Sequence, residues 1–308
     1  MMRIRQWATN GHFVKWLGLG LLSLGALSWG HTVQAKALPT LTIGGDVTEI
    51  AVALGAESQL VGRDDTSLAP PRIQSLPSVG YLRRLSAESL MTLHPQRLIV
   101  SHKASPREVV EQVAATGVEV HWVQASDRVS DLPEKVRQVG AALGRSQAAQ
   151  QLNRELTPAL HEVEDIPDLA HVKAMLILSH AGMAPMVAGS GTSADLMMQS
   201  LGVSNAFHDM QGYQRIGADG LLQAQPNLVL VSAAGLKSLG GEAGLWRIPG
   251  LSMTPAGQTA QVMVLDETAL LTSGPRTPKA LLALRQAIQR SFDRPLQPVD
   301  EAPASAVP

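Results

Sequence analysis

Two stretches of the chain carry nearly the same pattern: Arg84-Leu-Ser-Ala-Glu-Ser-Leu90 with His94-Pro-Gln-Arg-Leu-Ile-Val-Ser101, and Arg215-Ile-Gly-Ala-Asp-Gly-Leu221 with Gln225-Pro-Asn-Leu-Val-Leu-Val-Ser232. The distance between the copies is too long for a solenoid repeat. It fits a domain of ordinary size. The pattern therefore predicts two similar lobes, and ligands are often bound at the interface between such lobes.

A Gly-Tyr pair precedes each copy, with one residue fewer between the pair and the copy in the second case. The pairs are Gly80-Tyr81 and Gly212-Tyr213, and they contain the only two tyrosines of the chain. A rare aromatic residue at the same place in each lobe indicates a role in the cleft between the lobes.

Strand and helix patterns alternate on both sides of one long helix-forming stretch. Leu41–Gly44 and Arg97–Ser101 are apolar and predict strands, and Pro106–Thr116 predicts a helix that Gly117 ends. This alternation is typical of a parallel sheet covered by helices. Residues 132–163 are rich in Ala, Gln, Leu, Arg and Glu, and predict one long or once-broken helix.

The predicted fold is therefore α/β, with two similar lobes, each built on a central, mostly parallel sheet. A long backbone helix joins the lobes, and a ligand cleft lies between them. The predicted segments are a signal peptide (1–35), an N-terminal lobe (36–130), a linking helix (131–168), a C-terminal lobe (169–295) and a flexible tail (296–308).

The first 35 residues have the pattern of a secretory signal peptide. Arg3, Arg5 and Lys15 precede an uncharged apolar run, Trp16–Trp29, and a small-x-small cleavage pattern, Val33-Gln-Ala35, follows. The run is shorter than the roughly 20 residues that span a bilayer. The chain has no cysteine, which excludes both disulfides and lipid attachment at a cysteine. These features predict export, with cleavage after Ala35.

The charge balance argues against a nucleic-acid partner. The whole chain has a formal charge of −1, and the predicted signal peptide contains basic but no acidic residues, so the remainder is more acidic than the whole. A nucleic-acid-binding protein would carry a basic patch or an excess of Lys and Arg.

Several motifs together resemble a known class of binding proteins. They are Gly44-Gly-Asp-Val-Thr-Glu-Ile50, Arg63-Asp-Asp-Thr-Ser67, Leu76-Pro-Ser-Val-Gly-Tyr-Leu-Arg83, Leu239-Gly-Gly241, Thr254-Pro-Ala-Gly257 and Gly274-Pro-Arg-Thr-Pro278. The sequence from about residue 40 to 290 resembles the periplasmic heme-binding proteins of bacterial hemin uptake systems, the HmuT, ShuT and PhuT type.

The resemblance implies a periplasmic protein that captures heme as its transported ligand and delivers it to an ABC importer. The implied partners are a permease homodimer with its ATPase and an outer-membrane heme receptor upstream. The Val-Gly-Tyr-x-Arg element carries the iron ligand in this family, which assigns that role to Tyr81.

The chemistry of Tyr81 agrees with this assignment. Ferric iron prefers an anionic oxygen donor, and tyrosinate is a known ligand of heme iron. The pKa of a free tyrosine side chain is about 10, so a phenolate at neutral pH needs stabilisation, which a neighbouring cation provides. Arg83 and Arg84 follow Tyr81 closely in the sequence. A purely structural tyrosine is the alternative.

His180 is the candidate ligand of the second lobe. It follows the apolar strand pattern Ala174–Ser179, where a strand reaches a loop, and ligands bind at such strand ends in α/β sheets. By resemblance to members that stack two hemes, His180 would ligate a second heme iron or form a cleft wall. His102 also follows a strand, and Tyr213 matches Tyr81 through the repeat. Both are therefore expected to line the cleft.

Further basic and acidic residues complete the predicted site. Lys103, Lys237 and Arg276 join Arg83 and Arg84 as candidate partners of heme propionates, because a guanidinium pairs well with a carboxylate. Glu88 and Asp219 occupy the same position in the two copies of the repeat. The resemblance implies that they dock the protein on its permease, one charge per lobe.

Four alternatives remain open on the sequence alone. Two belong to the same class: a cobalamin or a ferric-siderophore binder. A third is a periplasmic zinc or manganese binder that uses His94, His102 and His180. The last is a secreted enzyme, although the sequence shows no nucleophile elbow, no phosphate-binding loop and only a truncated dinucleotide fingerprint at Gly189–Ala194.

Overall fold

The computed structural model describes residues 38–165, 169–179 and 184–293. The predicted signal peptide, the predicted tail and His180 lie outside these described residues. Within them, no helix has the length and apolar character needed to cross a membrane.

The described chain alternates strands with helices, as the repeat predicts. The strands are β1 (Thr40–Ile43), β2 (Leu60–Gly62), β3 (Arg97–Ser101), β4 (Glu119–Val123), β5 (Leu169–Leu178), β6 (Met186–Ala188), β7 (Val203–Asn205), β8 (Tyr213–Gln214), β9 (Leu228–Ser232) and β10 (Val262–Leu265).

The helices are α1 (Gly45–Ala53), α2 (Ala87–Met91), α3 (Arg107–Ala115), α4 (Leu132–Ala142), α5 (Ser146–Glu164), α6 (Ser193–Ser200), α7 (Ala218–Ala224), α8 (Ala233–Ser238), α9 (Glu242–Leu245), α10 (Pro255–Gln258), α11 (Glu267–Leu271) and α12 (Thr277–Asp293). Short 3₁₀ turns cover Glu57–Gln59, Pro71–Ser75, Val129–Asp131 and Leu251–Met253.

The first lobe contains a four-stranded, fully parallel sheet in the order β2-β1-β3-β4. Side chains alternate between its two faces because the strand period is two. Ile99 therefore packs into the core under α1, α4 and α5. Leu98 and Val100 pack into the core under α2 and α3. Burial on both faces explains the continuous apolar run at residues 98–100 of β3, whereas in β1 Leu41 and Ile43 alternate with two buried threonines.

The second lobe contains a six-stranded sheet in the order β10-β9-β5-β6-β8, with β7 also paired to β5. The pairs β10–β9, β9–β5 and β5–β7 are parallel. By contrast, β6 is antiparallel to both β5 and β8. The sheet is thus mostly parallel with one antiparallel side, and the repeat did not predict the short strands β6 and β8.

The segment predicted as the linking helix forms two helices, α4 and α5. The break lies at Leu143–Arg145, where Gly144 has a φ of +66° that favours glycine. The helix α5 packs against α4 and also against α12 of the second lobe. The predicted fold class, two α/β lobes joined by a helical backbone with a cleft between them, is confirmed.

Candidate functional site

Backbone hydrogen bonds attach the loop that carries Tyr81 to the first lobe on both sides. The N–H of Val79 donates to Arg63 O and the N–H of Asp65 donates to Gly80 O, both at 2.9 Å. On the other side, Ser105 N–H donates to Leu82 O at 2.9 Å. These bonds hold the backbone around Tyr81 in one place.

Buried and exposed residues alternate along the same loop, and the exposed ones are polar. Val79 and Leu82 are buried, whereas the Tyr81 side chain is 44% exposed. Gly80 has a φ of +93°, so the turn before Tyr81 favours glycine. The loop therefore presents a phenol to solvent from an anchored base.

Arg83 and Arg84 leave the same loop toward solvent. Both are exposed, and neither guanidinium forms a hydrogen bond or an ion pair with a residue in the described ranges. The N–H of Arg84 donates to Tyr81 O at 2.8 Å, which closes a turn over these residues. Two free cations thus lie close in sequence to an exposed phenol.

Tyr213 lies in a different environment, on strand β8. It is partly buried and packs against the core of the second lobe. Burial raises the pKa of Tyr213, and the nearby Glu267 raises it further. Hydrogen bonds with the Thr192 side chain and the Ala194 backbone oppose that shift. Because the net pKa shift is upward, this phenol is held in its neutral form.

Two cations of the first lobe lie close to residues of the second lobe. The charge of Arg83, in the first lobe, acts on Tyr213, in the second, and lowers its pKa against the effect of burial. Lys103 of the first lobe also reaches the second lobe, with its Nζ 3.5 Å from Ser193 Oγ. Tertiary structure thus brings Tyr81, Arg83, Lys103 and Tyr213 to the same side of the molecule.

His102 and Lys103 follow β3 and lie next to a buried carboxylate. Lys103 forms an ion pair with Asp127. Burial lowers the pKa of His102, and Asp127 counteracts this shift. The Nδ1 atom of His102 is buried and has no hydrogen-bond partner among the described residues. The sequence did not suggest that Lys103 would be paired.

A buried ion cluster lies behind these residues. Lys135 of α4 has no solvent exposure, and its Nζ lies 2.8 Å from Asp46 Oδ2 and 2.7 Å from Asp127 Oδ1. Burial alone would lower the pKa of Lys135, but the two carboxylates raise it above its usual value. The raised pKa keeps Lys135 charged, and the cluster connects α1, α4 and the segment after β4.

Arg276 joins the two lobes. Its guanidinium lies 3.2 Å from Glu49 Oε1 in the first lobe and 3.2 Å from Asp266 Oδ2 in the second. Its backbone N–H also donates to Glu49 Oε1 at 3.0 Å. Burial raises the pKa of Glu49, and Arg276 partly reverses that shift. Arg276 was predicted to pair with a heme propionate, but here two carboxylates of the protein already bind it.

The predicted residues Lys237, Glu88 and Asp219 are exposed. Lys237 lies in the last turn of α8, which follows β9. Glu88 lies in the first turn of α2, where Ser86 caps the helix by accepting from Ser89 N–H. Asp219 lies in the first turn of α7. His180 falls in the gap between the described segments, so its predicted role stays a prediction.

The described residues contain no group of three or more His, Cys, Asp and Glu side chains that could hold a metal ion. The zinc or manganese alternative has no cluster to support it within that part of the chain. The sequence did not indicate two features of the structure, the Asp46–Lys135–Asp127 cluster and Arg247 of the second lobe. A fully buried lysine in a helix has no local sequence signal, because its partners come from other elements.

A family profile described as periplasmic binding protein matches residues 41–269. Among solved structures, the periplasmic heme-binding protein RhuT from Roseiflexus sp. RS-1 in apo form is 33% identical. The alignment covers 83% of this chain and 99% of that one, with a TM-score of 0.76. The periplasmic heme-binding protein BhuT in complex with two hemes is also 33% identical, over 82% of this chain and 98% of that one, with a TM-score of 0.74.

Curated relatives include a second kind of binding protein. The vitamin B12-binding protein of Pectobacterium atrosepticum is 23% identical over 271 residues, which covers 86% of this chain and 92% of that protein. The chain therefore spans nearly the full length of relatives of both kinds.

Proposed function

The chain belongs to the periplasmic binding protein family, and from this premise we propose that it captures heme in the periplasm and delivers it to an inner-membrane ABC importer. The protein binds and releases heme without changing it chemically. The two periplasmic heme-binding proteins compared above are each 33% identical to this chain, and this similarity extends over more than four fifths of it.

The observation that carries the proposal is Tyr81. Its side chain is 44% exposed on a loop whose backbone is held by hydrogen bonds on both sides. Such a phenol can approach a ligand in the cleft without any rearrangement of the lobe. Ferric heme iron accepts a tyrosinate as an axial ligand.

Arg83 supplies the charge that this ligation needs. A cation near a phenol favours the phenolate. Arg83 and Arg84 have no carboxylate partner among the described residues, so they remain available to the bound ligand. They also suit the propionates of heme, because guanidinium and carboxylate form charge-assisted hydrogen bonds. Lys237 is exposed and can take the same role, whereas Lys103 and Arg276 would first have to leave their present partners.

Glu88 and Asp219 form the proposed contact with the permease. Each is exposed at the start of a short helix, and each belongs to one copy of the repeat. A pair of like charges related by a pseudo-dyad suits a two-fold symmetric partner. Such a partner is a permease homodimer with arginines at matching positions.

Cobalamin transport is the second candidate, because full-length relatives are vitamin B12-binding proteins. The exposed Tyr81 with its neighbouring arginines favours heme. Heme carries two carboxylates and, in the ferric state, an iron that prefers a phenolate, whereas the periphery of the corrin carries neutral amides.

The test is to titrate the purified mature chain with hemin and, separately, with cyanocobalamin. Heme binding should give a Soret band and the charge-transfer band of high-spin ferric iron with a tyrosinate ligand. Cobalamin should bind weakly or not at all. Tight cobalamin binding without a heme spectrum would establish the second candidate instead. Zinc retained by a colourless protein would contradict both.

A further inference from the structure

The loop between α11 and α12, residues 272–276, connects the second lobe to the first. Ser273 is buried, and its Oγ donates to Asp127 O of the first lobe at 2.6 Å. The φ of Ser273 is +53°, a left-handed value that is uncommon outside glycine and persists where surrounding contacts hold it. The contact with the first lobe thus stabilises the conformation of this loop.

Glu49 of α1 forms the other half of the joint. Its side chain is only 7% exposed, and its Oε1 accepts from the backbone N–H and the Nε of Arg276, at 3.0 Å and 3.2 Å. Its Oε2 accepts from Arg276 Nη2 at 3.3 Å. A Cβ added at Gly274 would lie 2.9 Å from Glu49 Cδ. Any residue larger than glycine at position 274 would therefore displace the carboxylate.

This joint connects the lobes in addition to the linking helices. The helix α1 packs against α4, and α12, which begins directly after Arg276, packs against α5. The joint thus spans the two lobes beside α4 and α5. A change in its width would move α1 and α12 relative to each other.

The charge of Arg276 is what allows Glu49 to be buried. Among the described residues, the charges that act on Glu49 are those of Arg276 and Asp266. Burial raises the pKa of Glu49, Arg276 lowers it and Asp266 raises it. Asp266 is itself 56% exposed, so water solvates it without Arg276. Loss of Arg276 would therefore leave one buried carboxylate without a partner, which is costly.

We propose that Arg276 and Glu49 are positioning residues that set the distance between the two lobes, and that Gly274 permits the close approach this contact requires. Without the guanidinium, the lobes separate so that the Glu49 carboxylate regains water. The joint thereby keeps the cleft preorganised for its ligand, which lowers the cost of binding. The inference goes beyond the proposed function and rests on it only where heme release is measured.

The distance between the lobes in the apo protein tests this inference directly. Because the chain has no cysteine, spin labels at Glu111→Cys of α3 and Gln223→Cys of α7, both exposed positions, mark one lobe each. Double electron–electron resonance then gives the distribution of distances. Arg276→Ala should broaden and lengthen this distribution at about pH 8. At about pH 5 it should return to that of the wild type, because protonated Glu49 has no charge to desolvate.

The double variant Glu49→Gln/Arg276→Ala should keep the wild-type distances at both pH values. Hemin release to a heme scavenger is the second measurement. Arg276→Ala should release hemin about tenfold faster, because removal of one partner of a buried pair leaves the other uncompensated, and the double variant should restore the wild-type rate. This restoration separates the positioning role from a direct contact between Arg276 and the ligand.

Arg137→Ala is the matched control. Arg137 pairs with Glu134 on the exposed surface of α4, so its loss leaves a carboxylate that water already solvates. This variant should change neither the distances nor the release rate. Thermal melting of each variant checks that the fold is retained.

Gly274→Ala tests the joint even if Arg276→Ala does not fold. It keeps both charges and should lengthen the distances at both pH values, because the added methyl group displaces the Glu49 carboxylate. Unchanged distances in Gly274→Ala and Arg276→Ala would overturn the inference. A lengthening in Arg276→Ala that persists in the double variant and at about pH 5 would overturn it as well. Since the distances are measured without ligand, a failure of heme binding would leave this test intact.

Discussion

The two Gly-Tyr elements share one sequence pattern but lie in different environments in the fold. Gly80-Tyr81 lies in an irregular loop, with the phenol exposed and followed by two arginines that have no side-chain partner in the described part of the chain. Gly212-Tyr213 leads into strand β8, where Tyr213 is paired opposite Ala188 and packs against the core. The first tyrosine is available to a ligand, and the second is held by its own lobe.

The one-residue difference between the copies shows how this arises. In the first copy, two residues separate Tyr81 from Arg84, and Arg84 N–H closes a turn onto Tyr81 O. In the second, one residue separates Tyr213 from Arg215, and the segment joins the sheet. A shift of one residue moves a strand side chain to the opposite face. A repeated pattern can therefore give an exposed side chain in one lobe and a core-packed side chain in the other.

Exchanging each tyrosine for phenylalanine gives the largest expected effect. Tyr81→Phe should abolish the tyrosinate charge-transfer band of the ferric heme complex, because it removes the axial oxygen. Tyr213→Phe is the matched control and should keep the band, since that phenol is bonded within its own lobe. Absorbance spectra of the two hemin complexes show whether each variant keeps the charge-transfer band. A band that survives in Tyr81→Phe and disappears in Tyr213→Phe would show that Tyr213, and not Tyr81, binds the iron.

The second lobe is expected to supply its iron ligand from His180 rather than from Tyr213. Saturating titration should give two hemes per chain in the wild type, falling toward one in His180→Ala. His161→Ala, which removes an exposed histidine of α5, should leave the stoichiometry unchanged. A wild-type ratio of one heme per chain would remove the second-ligand role and leave His180 only as a possible wall of the cleft.

A smaller effect on heme transport is expected from Glu88 and Asp219, which occupy the same position in the two copies and form the proposed contact with the permease. Glu88→Ala/Asp219→Ala should slow heme transport several-fold in a reconstituted importer while heme affinity stays the same. Exposed ion pairs contribute about 0.2–1 kcal/mol each, which sets this scale. Glu111→Ala, on the exposed side of α3, is the control.

Asp219 is one methylene shorter than Glu88, so Asp219→Glu should transport at least as well as the wild type. Transport that is unaffected by the double variant, or heme binding that fails along with it, would contradict the docking role.

The smallest expected effect is in the ionisation of the apo protein. Burial raises the pKa of Tyr213 above its ordinary value of 10.0, so its phenolate should form only at more alkaline pH. Tyr213→Phe should therefore remove a component of the ultraviolet phenolate titration that lies above the ordinary tyrosine pKa. If this variant instead loses a component that titrates at or below the ordinary pKa of tyrosine, the Tyr213 phenol is not buried in solution.

Some parts of the fold were predictable because they rest on local patterns. The apolar runs of β3 and β9 are buried on both faces, and such strands appear in the sequence as continuous stretches. The strands β6 and β8 were not predictable, since three and two residues are too few to show a period. They are nevertheless the strands that position Tyr213 and Arg215.

The electrostatic partners were the least predictable part of the site. Lys103 and Arg276 were expected to be free for propionates, but they bind Asp127 and Glu49. Glu49 and Arg276 are far apart in the chain, and only the packing of one lobe on the other brings them together. A side chain's charge is visible in the sequence, but whether that charge is already paired is not.

The sequence by itself determined the two-lobe α/β plan, the export pattern, and Tyr81 with Arg83 as the candidate ligand and its cation. These depend on short-range order: hydrophobic period, glycine turns and residues adjacent along the chain. Only the tertiary structure decided which tyrosine is exposed and which cations are already paired. Those properties depend on burial and on contacts between distant segments, and a side chain's partners and solvation follow from the packed fold.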